Sequence, residues 1–334
     1  MATIFNIEHP DDYLARFNAE RDAELAQRTR RSRPTPPPVD RLALAAALLT
    51  VTLWASAFVG IRAVASDLSP GSLALGRLVI GSLALGVLVA LRPLPRLARR
   101  DLALIIAAGV VWFAGYNLAL NAAERTVDAG TASMLVSTGP IFVALLTGTF
   151  LREGFPPRLL LGCLVAFSGA VIIGLAASSS TPAFEATGWG VVLCIVAALA
   201  FAAGVTLQKP ALARVSPLHV TWLGCVVGAA VCLPFAPALV SELATARTAS
   251  IGWLAYLGLF PTAIAFTSWA FALSRTSAGR LGAMIYLVPP VAVGLGMVLL
   301  GELPPSLAIP GGALCIGGVV LARTTGWPRR SSAR

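Results

Sequence analysis

From Arg41 onward the chain consists of apolar runs of about 16 to 24 residues separated by short polar breaks, and nothing else restricts its fold so severely. A helix rises about 1.5 Å per residue, so about 20 apolar residues cross the hydrocarbon layer of a bilayer. Ten such runs lie near 42–63, 71–91, 102–123, 129–151, 159–177, 189–208, 218–238, 251–273, 280–300 and 306–322. In hydrocarbon every backbone N–H and C=O must be satisfied within the protein, which leaves only helices and closed barrels. The runs lack period-two alternation, which excludes the barrel. The expected fold is therefore an all-α integral membrane protein with ten transmembrane helices. Only 12% of residues are charged and the mean hydropathy is +0.82, which excludes a cytosolic globular enzyme.

The net charge of +10 would point to nucleic acid if the basic residues were clustered on one surface. They are distributed by side instead. With the N-terminus placed in the cytoplasm, 21 of the 25 basic residues fall on the cytoplasmic side, three (Arg62, Arg125 and Arg247) fall opposite, and Arg77 lies inside the second run. This asymmetry follows the positive-inside rule, predicts both termini in the cytoplasm of a bacterial-type inner membrane, and requires an even number of spans. It leaves nucleic acid as a poor second reading. The arginines between Arg92 and Arg100 are expected to meet anionic lipid headgroups at the cytoplasmic face.

Residues 1–40 mix acidic and basic side chains and end in the stretch Ser32-Arg33-Pro34-Thr35-Pro36-Pro37-Pro38, which predicts a disordered cytoplasmic tail. They lack the apolar core and small-residue cleavage site of a secretory signal. A short basic tail, 324–334, closes the chain. Each of the five cysteines sits inside an apolar run without a CxxC partner or a nearby histidine cluster, so they read as packing residues, and neither a metal nor a cofactor is expected.

The chain repeats itself. An offset of 149 residues aligns Ala129 with Ala278, Gly130 with Gly279, Pro140 with Pro289, Leu151 with Leu300, Glu153 with Glu302, Gly162 with Gly311 and Gly169 with Gly318. An offset of 150 pairs Arg125-Thr126 with Arg275-Thr276, and one of 147 pairs Ser69-Pro70 with Ser216-Pro217. The first five runs, 41–178, thus recur as the second five, 188–323. Five is odd, so the second copy enters the membrane from the opposite face, and the fold is expected to be two inverted five-helix repeats. In transporters this architecture yields two pseudo-equivalent states around a site near the midplane.

Several motifs carry a resemblance. Leu53-Trp54-Ala55-Ser56-Ala57-Phe58, Arg77-Leu78, and Ala129-Gly130-Thr131-Ala132 leading to Pro140 resemble the EamA family of the drug/metabolite transporter superfamily. So does the second copy, Arg275-Thr276-Ser277-Ala278-Gly279 through Leu287-Val288-Pro289-Pro290 to Leu300-Gly301-Glu302. The resemblance covers about residues 41–323 and implies ten helices in two inverted halves that transport small metabolites, often outward. Leu151-Arg152-Glu153 departs from the family's usual Leu-Gly-Glu.

No carboxylate falls at mid-membrane depth, where it would cost about 2.5–3.5 kcal/mol, so proton coupling through a buried acid is disfavoured. The third run is the richest in polar and aromatic groups. Phe113, Asn117 and Asn121 recur every fourth residue beside Trp112 and Tyr116. Asparagine amides suit hydrogen bonds to amino or carboxyl groups, and the rings suit an apolar or cationic body. The eighth run supplies Thr267 and Trp269, the first Trp54 and Ser56, the sixth Phe201, the fourth Ser137 and the ninth Tyr286. These eleven residues (Trp54, Ser56, Trp112, Tyr116, Asn117, Asn121, Ser137, Phe201, Thr267, Trp269 and Tyr286) are the expected substrate-binding set. Two roles fit Arg77, anion contact or structural cation. Pro140, Pro261, Pro289 and Pro290 are expected at hinges or kinks.

The reading is a transporter, not an enzyme: an exporter or facilitator of small neutral or zwitterionic metabolites, amino acids first. Anionic sugar phosphates or nucleotide sugars would need several cavity cations, and drug-like cations are the remaining alternative. A membrane enzyme would need a His, Asp or Cys constellation, and His9 and His219 lie far from any paired acid.

Overall fold

The computed structural model describes residues 40–93, 97–126, 132, 135–178, 188–300 and 307–323, so the tail before Asp40, the tail after Arg323 and Glu302 lie outside the described residues. Among the described residues all regular structure is helical. Six segments are long and apolar enough to cross a membrane: Arg41–Ile61, within helix α1 (Arg41–Val64); α2 (Pro70–Ala90); α3 (Arg99–Ala123); Trp189–Ala211, within α6 (Gly188–Ala211); α7 (Pro217–Thr245); and α8 (Thr248–Arg275). Shorter apolar stretches are Gly139–Phe150 (α4), Pro157–Ile173 within α5 (Pro157–Ser178), Ala278–Ala292 within α9 (Ala278–Ala283, Met284–Leu287 and Val288–Leu300) and Ile309–Ala322 within α10 (Ala308–Arg323). Exposed Leu83, Val87, Leu161, Leu164, Ile309 and Ile316 give the outside of the bundle the apolar character that lipid requires.

Sequence punctuation marks the helix ends. Ser69 and Ser216 cap α2 and α7 through their side-chain oxygens, each followed by a proline at the first helical position. Pro140 occupies the first turn of α4, and Pro289 and Pro290 the first turn of the last piece of α9, after a 3₁₀ turn at Met284–Leu287. Pro261 lies inside α8, within a π-helical stretch, Gly258–Ile264.

Small residues set the closest contacts. A side chain on Gly162 would lie 2.6 Å from Gly318 O, and one on Gly169 2.5 Å from Gly311 O; Cys315 Sγ donates to Ala166 O between them at 3.4 Å. α5 and α10 therefore run antiparallel in backbone contact, as close helix packing in lipid favours. α2 packs on α7, α1 on α8 and α9, and α6 on α3 and α4.

The α4–α5 connection shows what the arginine at position 152 costs. Its φ is +55° and that of Gly154 is +77°, so Arg152, which stands where the resembled Leu-Gly-Glu pattern has glycine, is left-handed in this chain. An L-residue pays about 1–2 kcal/mol there, which glycine does not. The turn presents Glu153, whose oxygens accept from the N–H groups of Ala278 (3.1 Å) and Gly279 (3.3 Å) at the start of α9. Arg152→Gly is expected to raise the melting temperature of the detergent-solubilised protein, a gain of about 1 kcal/mol. A lower melting temperature would contradict the strain at this turn.

Candidate functional site

Both helices with a π-helical stretch, α3 and α8, converge on one cavity. In α3 the stretch Gly109–Tyr116 is π-helical, and where it reverts, Asn117 N–H bonds Ala114 O while Asn117 Nδ2 takes Phe113 O at 2.7 Å. In α8 the cause is Pro261, which has no N–H for the carbonyl of Leu257 four residues back. Thr262 Oγ1 donates to that carbonyl instead, at 2.8 Å. Interruptions of this kind turn side chains off the regular helical stripe and gather at functional sites.

The cavity has a water-accessible interior of about 70 Å³, room for several waters. Its wall is drawn from seven helices or their ends: Trp54, Phe58 and Ile61 of α1, Arg77 of α2, Tyr116, Asn117 and Leu120 of α3, Val136 and Ser137 just ahead of α4, Phe201 of α6, Phe266 of α8, and Ile285, Val288 and Pro289 of α9. It extends from Trp54 toward Ile61 and Leu120, in the half of the bundle that carries the α1–α2 connection.

Aromatic rings close its deep end. Trp54 meets Trp112 and Phe201 edge-on, both with centroids 6.3 Å apart, and Phe266 at 5.4 Å. Trp269 lies beneath it at 5.2 Å. Trp54 Nε1 also donates to Pro261 O at 3.2 Å, a second link to the π-helical stretch of α8. The side chain of any residue at Gly204 would collide with Trp112, 2.3 Å from its Cβ, so the glycine admits the ring between α3 and α6.

The other end is polar. Arg77 is buried, and its Nε donates to Thr262 Oγ1 at 2.9 Å. Gly81 and Gly258 bring α2 and α8 close enough for this contact, since a Cβ at Gly81 would lie 2.9 Å from Thr262 Cγ2.

The expected set is thus divided. Trp54, Tyr116, Asn117, Ser137 and Phe201 line the cavity, together with Arg77. Trp112 and Trp269 form the layer behind the wall, each at most 1% exposed. The remaining four point elsewhere. Ser56 Oγ donates to Leu53 O and meets Tyr256 Oη at 2.6 Å; Thr267 Oγ1 donates to Ala263 O; Asn121 Nδ2 donates to Pro70 O, at the start of α2. Tyr286 is fully buried on the 3₁₀ turn of α9, which packs on α5 and α10. Phe266 was absent from the set, although the 150-residue offset that pairs Asn117 with Thr267 also pairs Tyr116 with Phe266. Phe58 and Ile61 follow Trp54 by four and seven residues, one face of a single helix.

Comparisons with known proteins agree with this architecture. The chain is 40% identical over 291 residues to a protein of Streptantibioticus cattleyicolor described as a probable terminal-alkyne amino-acid exporter, covering 86% of this chain and 96% of that one. It is 32% identical to the Bacillus subtilis uncharacterized transporter YdfC, over 81% of this chain and 87% of the relative. A solved structure, titled only as a crystal structure of a protein, shares the fold with a TM-score of 0.67 at 19% identity, covering 84% of this chain and 96% of that chain. The model of the EamA-like transporter family matches twice, over residues 41–175 and 188–324, and the chain is a membrane-integral member of that family.

Proposed function

We propose that this protein carries amino acids or similarly small zwitterions across a bacterial-type inner membrane, outward, by alternating access of two inverted five-helix halves. In this reading ten helices span the bilayer. The halves are 41–178 and 188–323, preceded and followed by cytoplasmic tails, and the arginines of the α2–α3 connection meet anionic headgroups. The observation that carries the reading is the cavity, which is apolar along most of its wall with five aromatic rings among its residues, holds few polar groups, and is lined from both halves. Small-molecule sites have this composition. The amino-acid exporter named among the relatives supports the substrate class and direction.

Packing supports the inversion. The contacts of α1 with α8 and α9 have as their images the contacts of α6 with α3 and α4, and the antiparallel crossing of α5 and α10 maps onto itself under the 149-residue offset. Polar clamps at the two ends are also related. Asp67 accepts from Arg247 Nε at 3.0 Å and Ser250 Oγ at 2.7 Å, while Arg214, the counterpart of Asp67 at offset 147, donates through Nε to Asp101, the counterpart of Ser250 at offset 149, at 2.8 Å. The Arg247 guanidinium, then the Ser250 hydroxyl, hold the Asp67 carboxyl well below the usual carboxylate range, so this clamp stays charged at physiological pH.

Counterflow in proteoliposomes tests the proposal. Vesicles loaded with an unlabelled amino acid are expected to accumulate the labelled form above protein-free vesicles, and to do so equally with and without a pH gradient. Failure across a panel of neutral amino acids would remove the substrate class.

A further inference from the structure

The polar end of the cavity holds a cation whose hydrogen-bonding capacity the protein leaves partly unused. Arg77 is 4% exposed, yet among the described residues it makes no ion pair, and the Glu124 carboxylate acts on it only through space without a hydrogen bond. The ion pairs among the described residues are Arg214 with Asp101, Arg247 with Asp67 and Arg275 with Asp40, all at the ends of helices. Its one side-chain hydrogen bond among the described residues is the Nε donation to Thr262 Oγ1. That oxygen has already given its proton to Leu257 O, because Pro261 withholds the backbone donor, so only lone pairs face the arginine. The contact fixes the guanidinium by its inner nitrogen. Both Nη groups are left without a partner among the described residues, on a side chain that lines the cavity.

A buried guanidinium with two parallel donors free is costly unless an anion occupies them, and a carboxylate fits that fork in bidentate fashion. The neighbouring groups match the rest of an amino acid. Asn117 has committed Nδ2 to Phe113 O, which leaves its Oδ1 as an acceptor on the same wall. Trp54, Phe201 and Phe266 offer apolar ring surface at the deep end.

Resting on the amino-acid reading above, we propose that Arg77 is the receptor for the substrate's α-carboxylate. The ammonium meets Asn117 Oδ1, and the side chain lies against the aromatic rings. Selection then falls on a free carboxylate. An amine without one leaves the guanidinium unpaired, and a doubly charged phosphate finds a single cation.

The test uses competition in counterflow of labelled L-leucine, or of whichever panel member gives the highest signal. Its amide and its decarboxylated amine keep the ammonium and side chain but lack the carboxylate. Both are expected to compete about 10- to 100-fold more weakly than the unlabelled amino acid. Arg77→Lys, which keeps the charge and loses the fork, is expected to raise half-saturation about tenfold and to narrow the discrimination between acid and amide. Because the first measurement uses the unaltered protein, a variant that fails to fold does not decide the matter. Equal competition by acid, amide and amine would overturn the role of Arg77 while leaving amino-acid transport standing. Absence of counterflow for every amino acid would overturn both.

Discussion

Gly318→Leu is expected to leave no monodisperse protein after extraction, whereas Gly317→Leu, one residue earlier, is expected to behave as the parent. The two positions are chemically identical and differ only in direction. A Cβ at Gly318 would lie 2.4 Å from Ala166 N and 2.5 Å from Gly162 O, backbone atoms that no rotamer change can move. A Cβ at Gly317 meets nothing within 4 Å. Inserting a leucine at 318 therefore forces α5 and α10 apart along the whole crossing, including Gly169 against Gly311. Overpacking of a core costs about 1–3 kcal/mol when side chains can adjust, and the backbone contact places this case above that range. Gly318→Ala is expected to fall between, with a lowered melting temperature. Size-exclusion profiles of tagged protein separate the three, and matching profiles for Gly317→Leu and Gly318→Leu would refute the antiparallel crossing.

Trp54→Ala is expected to combine a large loss of stability with loss of counterflow. The ring touches Trp112, Phe201, Phe266 and Trp269, and its indole N–H holds Pro261 O. Truncating a residue of this size in a packed cluster costs about 3–5 kcal/mol. Loss of the deep wall also removes the surface on which an apolar side chain rests, so flux per folded molecule is expected to fall at least tenfold. Trp54→Phe keeps ring surface and removes only the N–H, and should retain most stability with reduced flux. The comparison is read from melting curves and counterflow on equal amounts of monodisperse protein. Full flux in Trp54→Ala would show that the cavity is not the transport path.

Part of the cavity wall was legible because helical periodicity is strong. Tyr116 and Asn117 sit beside Phe113 on the stripe that the third run displays, and Trp54 and Phe201 are counterparts at offset 147 that meet edge-on in the fold. Periodicity says which residues share a face and nothing about what covers it. Ser56 and Thr267 illustrate the gap. Both are small hydroxyl residues inside apolar helices, and both return their proton to a carbonyl of their own helix three or four residues back. In a bilayer that local bond is always within reach, so a hydroxyl in the sequence does not announce a ligand. Asn121 gives its Nδ2 to Pro70 O, an acceptor far away in sequence, and no spacing rule finds such a partner.

The sequence by itself determined that the chain spans a membrane as helices, because run length and backbone satisfaction in hydrocarbon allow nothing else. It also paired Gly162 with Gly311 and Gly169 with Gly318 as repeat positions, but only the fold showed that these glycines bring α5 and α10 into backbone contact. Only the tertiary structure decided how Arg77 is held and which cavity it lines. From the sequence an arginine in an apolar run reads equally well as a structural cation or an anion contact. The fold places Thr262, 185 residues away, with its hydroxyl already committed to Leu257 O, so that Nε is held while the side chain lines a cavity that has no carboxylate among its described residues.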